Sequence, residues 1–304
     1  EYFGELLGHA DYYQHKYYDG TPALREGLQP VKRDGYFTDL VNERAVKFVR
    51  DHAAHPFFLY VPHLAVHGPF QPPDAPGTPF VTKETMLHGS RAIYKAMLER
   101  VDRGVGEILA ELDRQGIAEN TLVVFSSDNG GERWSRNTPL FHHKATLWEG
   151  GIHAPMIVRW PGKIAAGKRS DFPWAGWDLL PTAAALAGTT PPSNIDGIDV
   201  MPALRDGRRE RPGYLYWENV QSVFAQAVRL GDLKAVRHDP VSAIQVYDLR
   251  ADPGESSDLA SANPEFVARA AELFRTARTE SEHWPVDRAA TPAKPGKPAK
   301  KSKP

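Results

Sequence analysis

Between Pro56 and Gly131 the chain runs through a short apolar stretch, a long amphipathic one and a second short apolar stretch. That order constrains the fold more than any other feature. FFLYV (57–61) and LVVF (122–125) are continuous apolar runs of strand length, as expected of parallel strands covered on both faces. Ser90 to Gln115 lies between them. Its Ile93, Met97, Leu98, Val101, Val105, Ile108, Leu109 and Leu112 recur at helical spacing and form one apolar face, and Gly116 suits the C-terminal cap. Strand, helix and strand in this order predict a right-handed crossover in a parallel sheet.

Ligands in such sheets sit beyond the carboxyl ends of the strands. The second run ends in Ser126, Ser127, Asp128 and Asn129, and Gly130–Gly131 lets the chain turn. Asp128 and Asn129 offer a carboxylate and an amide oxygen, a pair that suits Ca²⁺, with Mg²⁺ also possible. By itself SDNGG is equally an Asx turn with ordinary loop chemistry. After the first run, HLAVHGPFQPP carries His63 and His67 at what would be the same end of the sheet.

Elsewhere the pattern is mixed. Residues 1–30 are rich in Tyr, Gly and His with little period, and could line a pocket or form a surface loop packed on the body. Tyr36 to about His52 has helical spacing, and PMIVRW (155–160) reads as a strand. DLLPTAAALA (178–187) reads as a helix with a proline near its first turn. From about Gly197 the pattern becomes alternating. LYWENV, FAQAVRLGDLKAVR and IQVYDLRADPGE predict antiparallel strands, with a hairpin at Gly231–Asp232. A helix starts at Asn263–Pro264 as N-cap and first helical residue. TPAKPGKPAKKSKP (291–304) is basic and has no apolar side chain larger than Ala or Pro, so it is expected to be a solvated tail.

The 304 residues carry a net charge of −1, which argues against a nucleic-acid surface, and no apolar run is long enough to span a membrane. With no cysteine there is neither a disulfide nor a thiol nucleophile in this chain.

PFFLYVPHLAVHGPFQPP, TLVVFSSDNGG, HHKATLWEGGIHAPMIVRWPGKI and the pair VRLGDLKAVR with VYDLRADPGE together resemble the sulfatase family, of the alkaline-phosphatase-like superfamily. DLLPTAAALAG and IDGIDVMPAL also match, and the ordered resemblance extends from about Tyr2 to Trp284. It implies an α/β fold, a mostly parallel sheet flanked by helices, followed by a small antiparallel sheet with a helix. The expected divisions are 1–195 for a partial catalytic domain, 196–288 for the C-terminal subdomain and 289–304 for a disordered basic tail.

The resemblance also assigns roles. Asp128 and Asn129 correspond to metal ligands, usually for calcium. Lys144 corresponds to the lysine that binds the sulfate group. His67 corresponds to a histidine that contacts sulfate; His63, which directly follows Pro62, is the rival, but Gly68–Pro69–Phe70 keeps the register with His67. Ala145 stands where glycine is common and His153 where arginine is frequent. The chemistry is consistent: positive charge must hold the oxygens of a tetrahedral anion as charge moves to the leaving oxygen. A metal adds Lewis acidity, a lysine adds a point charge, and a histidine proton is worth roughly 10²–10⁴-fold.

The family's nucleophile is a formylglycine made from Cys or Ser in C/S-x-P-x-R, and this chain contains no such motif. The chain is therefore expected to be a sulfatase lacking its N-terminal part, inactive alone, and a weak calcium binder. Its expected partner is a small-molecule or carbohydrate sulfate ester, and family habit suggests a periplasmic or secreted location. Two alternatives remain: a phosphodiesterase or phosphonate hydrolase of the same superfamily, and a non-catalytic remnant that binds sulfated glycans.

Overall fold

The computed structural model describes residues 1–207, 210–220, 224–283 and 285–286. The basic tail expected from residue 289 onward lies outside them. Residue contacts divide the chain into two interleaved units. The first comprises Glu1–Phe125, Arg133–Ser135 and Ile157–Gly167; the second comprises Ser126–Glu132, Arg136–Met156 and Lys168 onward.

In the first unit, β1 (Phe3–Gly4), β2 (Arg25–Glu26) and β3 (Gln29–Pro30) form a small antiparallel sheet. The Tyr-rich opening packs on the body of this unit. Tyr12 is wholly buried, and its ring stacks on Tyr36 at 5.0 Å between centroids. Burial is tolerated because each phenol finds a carbonyl: Tyr12 donates to His67 O at 3.0 Å, Tyr36 to Gln71 O at 3.0 Å and Tyr13 to Pro72 O at 2.8 Å.

Helices α1 (Phe37–His52) and α2 (Arg91–Arg114) fall where the periodicity placed them, and Ser90 Oγ accepts the Ile93 amide at the start of α2. They pack against each other at Gly104, where a Cβ would lie 2.1 Å from the Asn42 side chain.

The segment 57–61 departs from expectation. It forms no regular element and joins no sheet among the described residues. Phe57 and Leu59 pack on Val49 and Leu112, whereas Phe58 and Tyr60 are 71% and 72% exposed. One face is thus open, not both covered. The expected larger sheet is represented among the described residues by β4 (Val123–Ser126) paired with β5 (Met156–Arg159).

The second unit contains α3 (Glu149–Ile152), α4 (Leu179–Leu186), α5 (Met201–Asp206) and a four-stranded antiparallel sheet. Its strands β6 (Leu215–Asn219), β7 (Ala225–Leu230), β8 (Leu233–Arg237) and β9 (Gln245–Asp248) pair in chain order. The hairpin falls at Gly231–Asp232, with Leu230 opposite Leu233. Helix α6 (Pro264–Thr276) lays Ala270, Leu273 and Phe274 on Val228, Ala235 and Val246. The opposite face is also covered: Ala225, Ala227 and Val236 pack on Leu147 and Ile152. Asn263 occupies the N-cap position of α6, but its amide donates to Leu259 O at 3.0 Å instead of capping.

Candidate active site

Two loops of the second unit meet through glycine. The Gly130 amide donates to Gly151 O at 2.8 Å, and the Lys144 amide donates to Gly131 O at 3.0 Å. A Cβ on Gly130 would lie 2.0 Å from Gly150 O, and one on Gly151 would lie 2.2 Å from Thr146 O. Only glycine permits so close a backbone approach. The contact holds the strand-end loop of Asp128 and Asn129 against the turn that carries Lys144.

As a result Asn129 and Lys144 line one cavity of about 670 Å³. Asp128 is exposed beside it, and its Oδ2 accepts the Asn129 amide at 2.6 Å. His67 belongs to the first unit. Its side chain is exposed, its Nδ1 is 2.7 Å from Gly68 O, and Nε2 has no partner among the described residues. His63 differs: its Nε2 meets Asn42 Oδ1 at 2.7 Å, and burial lowers its pKa to about 4. Its ring is thus a neutral tie to α1.

Other cavity residues were not singled out from sequence. The end of β6 supplies Glu218 and Asn219, and the chain after α6 supplies Arg278, Thr279 and Ser281. Residues 1–30, read from sequence as able to line a pocket, contribute no lining residue to this cavity. No sequence signal marks the actual wall, because it forms only when the C-terminal sheet packs beside Lys144.

Behind the Lys144 turn lies a buried charge cluster. Lys234 Nζ, fully buried, is 2.8 Å from Glu149 Oε1 and 2.8 Å from Glu255 Oε1. The Glu255 contact is an ion pair between two fully buried side chains. The other Glu255 oxygen accepts the Glu149 amide at 2.6 Å, and His153 Nδ1 lies 3.0 Å from Glu149 Oε2. His153, which had no role from sequence, is therefore part of this cluster.

The two carboxylates are pushed apart. Burial disfavours charge on both, but His153 and Lys234 outweigh it at Glu149 and bring its pKa from 4.5 down to about 2. At Glu255 burial wins over Lys234, and the pKa is raised. Glu149 therefore stabilises the fold above about pH 4.5, and that contribution is lost as pH falls toward 2. Glu255 acts in the opposite sense: its contribution is present in acid and lost as pH rises through its raised folded value. Urea midpoints measured across this range should drop less steeply on acidification in Glu149→Gln than in the parent. An unchanged acid limb in the variant would show that Glu149 is not the group involved.

Ala145 sits at φ +73°, in the left-handed region. A side chain there costs roughly 1–3 kcal/mol, partly offset by the entropy glycine would lose on folding. Ala145→Gly is expected to stabilise the chain by about 1 kcal/mol. A lower denaturation midpoint would contradict the strain argument.

The donor set for a cation is short. Ca²⁺ takes about 6–8 oxygen ligands, and Asp128 and Asn129 supply two side chains, one already bonded to the other. Among the described residues no group of three or more acidic or histidine side chains converges. The residues present do not by themselves make a calcium site.

Comparison with known proteins agrees with this anatomy. The Sulfatase family model matches residues 1–189, and the model for the C-terminal part of N-sulphoglucosamine sulphohydrolase matches residues 139–278. Steryl-sulfatase of Mus musculus is 36% identical over 227 residues, 70% of this chain and 34% of that protein. N-acetylgalactosamine-6-sulfatase of Mus musculus is 33% identical over 257 residues, covering 77% and 47%. The crystal structure of Ps i-CgsB superposes with a TM-score of 0.80 at 30% identity, covering 91% of this chain and 65% of that one. The chain thus belongs to the sulfatase family, within the alkaline-phosphatase-like superfamily. It spans about half or less of the length of these two curated relatives.

Proposed function

We propose that these residues form the sulfate-holding half of a sulfuric ester hydrolase acting on a carbohydrate sulfate. The observation that carries this reading is the placement of Lys144 and Asn129 on one cavity, in loops locked by Gly130 and Gly151. Lys144 supplies a compact positive charge for the sulfonate oxygens, which gains most where charge shifts in the transition state. The lining mixes polar and apolar groups, and a relative of known structure, Ps i-CgsB, has been solved in complex with k-i-k-neocarrahexaose. The family resemblance gives His67 a sulfate-contacting role; within its own unit its Nδ1 lies 2.7 Å from Gly68 O.

The nucleophile is not part of this assignment, since no Cys and no Ser-x-Pro-x-Arg occurs in the 304 residues. The test is aryl-sulfate and sugar-sulfate turnover by this chain alone. No turnover is expected, with sugar sulfate still bound; measurable hydrolysis would place a nucleophile within these residues. Calcium is expected to bind weakly or not at all to Asp128 and Asn129. Calorimetry giving a dissociation constant below about 10⁻⁶ M, in the range of dedicated calcium proteins, would contradict that.

A further inference from the structure

The block VYDLRADPGE supplies no cavity residue, yet it ends on a glutamate with strained backbone. Glu255 lies at φ +52°, in the left-handed region that glycine adopts freely. A longer side chain keeps such backbone only where its surroundings hold it, and such outliers gather at functional sites. A tight turn holds this one. The Glu255 amide donates to Asp252 O at 3.1 Å, and Asp252 Oδ2 accepts the Ser256 and Ser257 amides at 2.7 and 2.9 Å. The turn aims the buried carboxylate at one amide, that of Glu149, 2.6 Å away. Lys234 balances both carboxylates from 2.8 Å. Gly254, next to Glu255, packs on the chain before Lys144: a Cβ there would lie 3.1 Å from Pro139 O.

Glu149 begins α3, which is a single helical turn. Its 4 residues are too few to hold a helix by their own hydrogen bonds. Yet α3 grips both loops that bring Lys144 and Asn129 together. The Gly150 amide donates to Phe141 O at 2.8 Å, just before Lys144. Gly151 O accepts the amide of Gly130, the neighbour of Asn129, at 2.8 Å. We propose that Glu255 is a positioning residue for the anion site: through the Glu149 amide it fixes α3, and α3 fixes Lys144 and Asn129 on their shared cavity. This inference rests on the sulfatase reading above and adds a residue outside the cavity on which the cavity's geometry depends.

The test compares the 304-residue parent with Glu255→Gly, Glu255→Gln and Glu255→Asp. Glycine relieves the left-handed strain but removes the acceptor. Glutamine keeps an acceptor at the same reach, whereas aspartate tolerates the backbone but falls a methylene short. Hydrogen exchange is read by mass spectrometry in peptides spanning 126–132 and 139–146, with 264–276 in α6 as the control. In the glycine and aspartate variants the first two peptides should exchange roughly tenfold or more faster, the equivalent of losing one hydrogen bond to a charged group, and α6 should keep the parent rate. The glutamine variant should stay within about twofold of the parent throughout. Calorimetric titration with inorganic sulfate should follow the same order: roughly 3- to 10-fold weaker binding in the glycine and aspartate variants and no change in the glutamine one. The proposal is overturned if both loop peptides keep the parent rate in the glycine and aspartate variants, if α6 speeds up with them, or if glutamine loosens the loops as much as glycine. If the parent binds sulfate no better than Lys144→Ala does, the sulfatase reading fails, and the exchange rates still decide whether Glu255 holds the two loops.

Discussion

Lys144→Ala is expected to weaken binding of a sulfated sugar by roughly 10- to 150-fold, the equivalent of one hydrogen bond to a charged group at about 1.5–3 kcal/mol. The size follows from position. Lys144 is half-buried on the cavity wall, and its backbone is pinned by the amide bond to Gly131 O. The turn that presents the ammonium is therefore in place before the ligand binds. Lys144→Arg should recover only part of the affinity, because a planar fork does not replace a point charge on a short reach. Both are read by titration calorimetry, with thermal unfolding as a control for the fold. An alanine variant that binds within twofold of the parent would remove Lys144 from the anion site.

The second large effect is on stability. Lys234→Met is expected to cost about 3–5 kcal/mol, the usual result of breaking a buried ion cluster by removing one partner. Lys234 is fully buried and is the cation between Glu149 and Glu255. Its loss leaves two carboxylates facing each other in a dry interior. Adding Glu149→Gln and Glu255→Gln to Lys234→Met should restore most of the loss, since uncharged groups of similar shape carry a far smaller desolvation cost. Denaturant midpoints of the single and triple variants decide it. A single variant within 1 kcal/mol of the parent, or a triple variant worse than the single, would show that charge is not what matters there.

The cluster also explains why the sheet's alternation is a partial guide. LKAVR alternates apolar and polar residues, which for a lone hairpin means one dry face and one wet face. Lys234 falls on the face expected to be wet, yet it is fully buried. Leu147 and Ile152 cover that face, and Glu149 arrives with them. A similar limit applies to FFLYV. Its composition reads as a strand covered on both sides, but side-chain composition does not supply a neighbouring strand. Phe58 and Tyr60 stay exposed while Phe57 and Leu59 reach the α1–α2 core.

From residues alone came the helices at 37–52 and 91–114, the hairpin at Gly231–Asp232, and the ordered motifs that carry Asp128, Asn129 and Lys144. These are local matters: period, capping chemistry and turn residues act within a few positions of one another. The tertiary structure alone decided that Lys234 is a buried counter-ion for a glutamate 85 positions away, and that Glu255 caps an amide 106 positions away. It alone supplied Glu218, Asn219 and Ser281 as a cavity wall. Partners so distant leave no periodic trace in the chain, because the energy that selects them is released only when separate loops and strands come into contact.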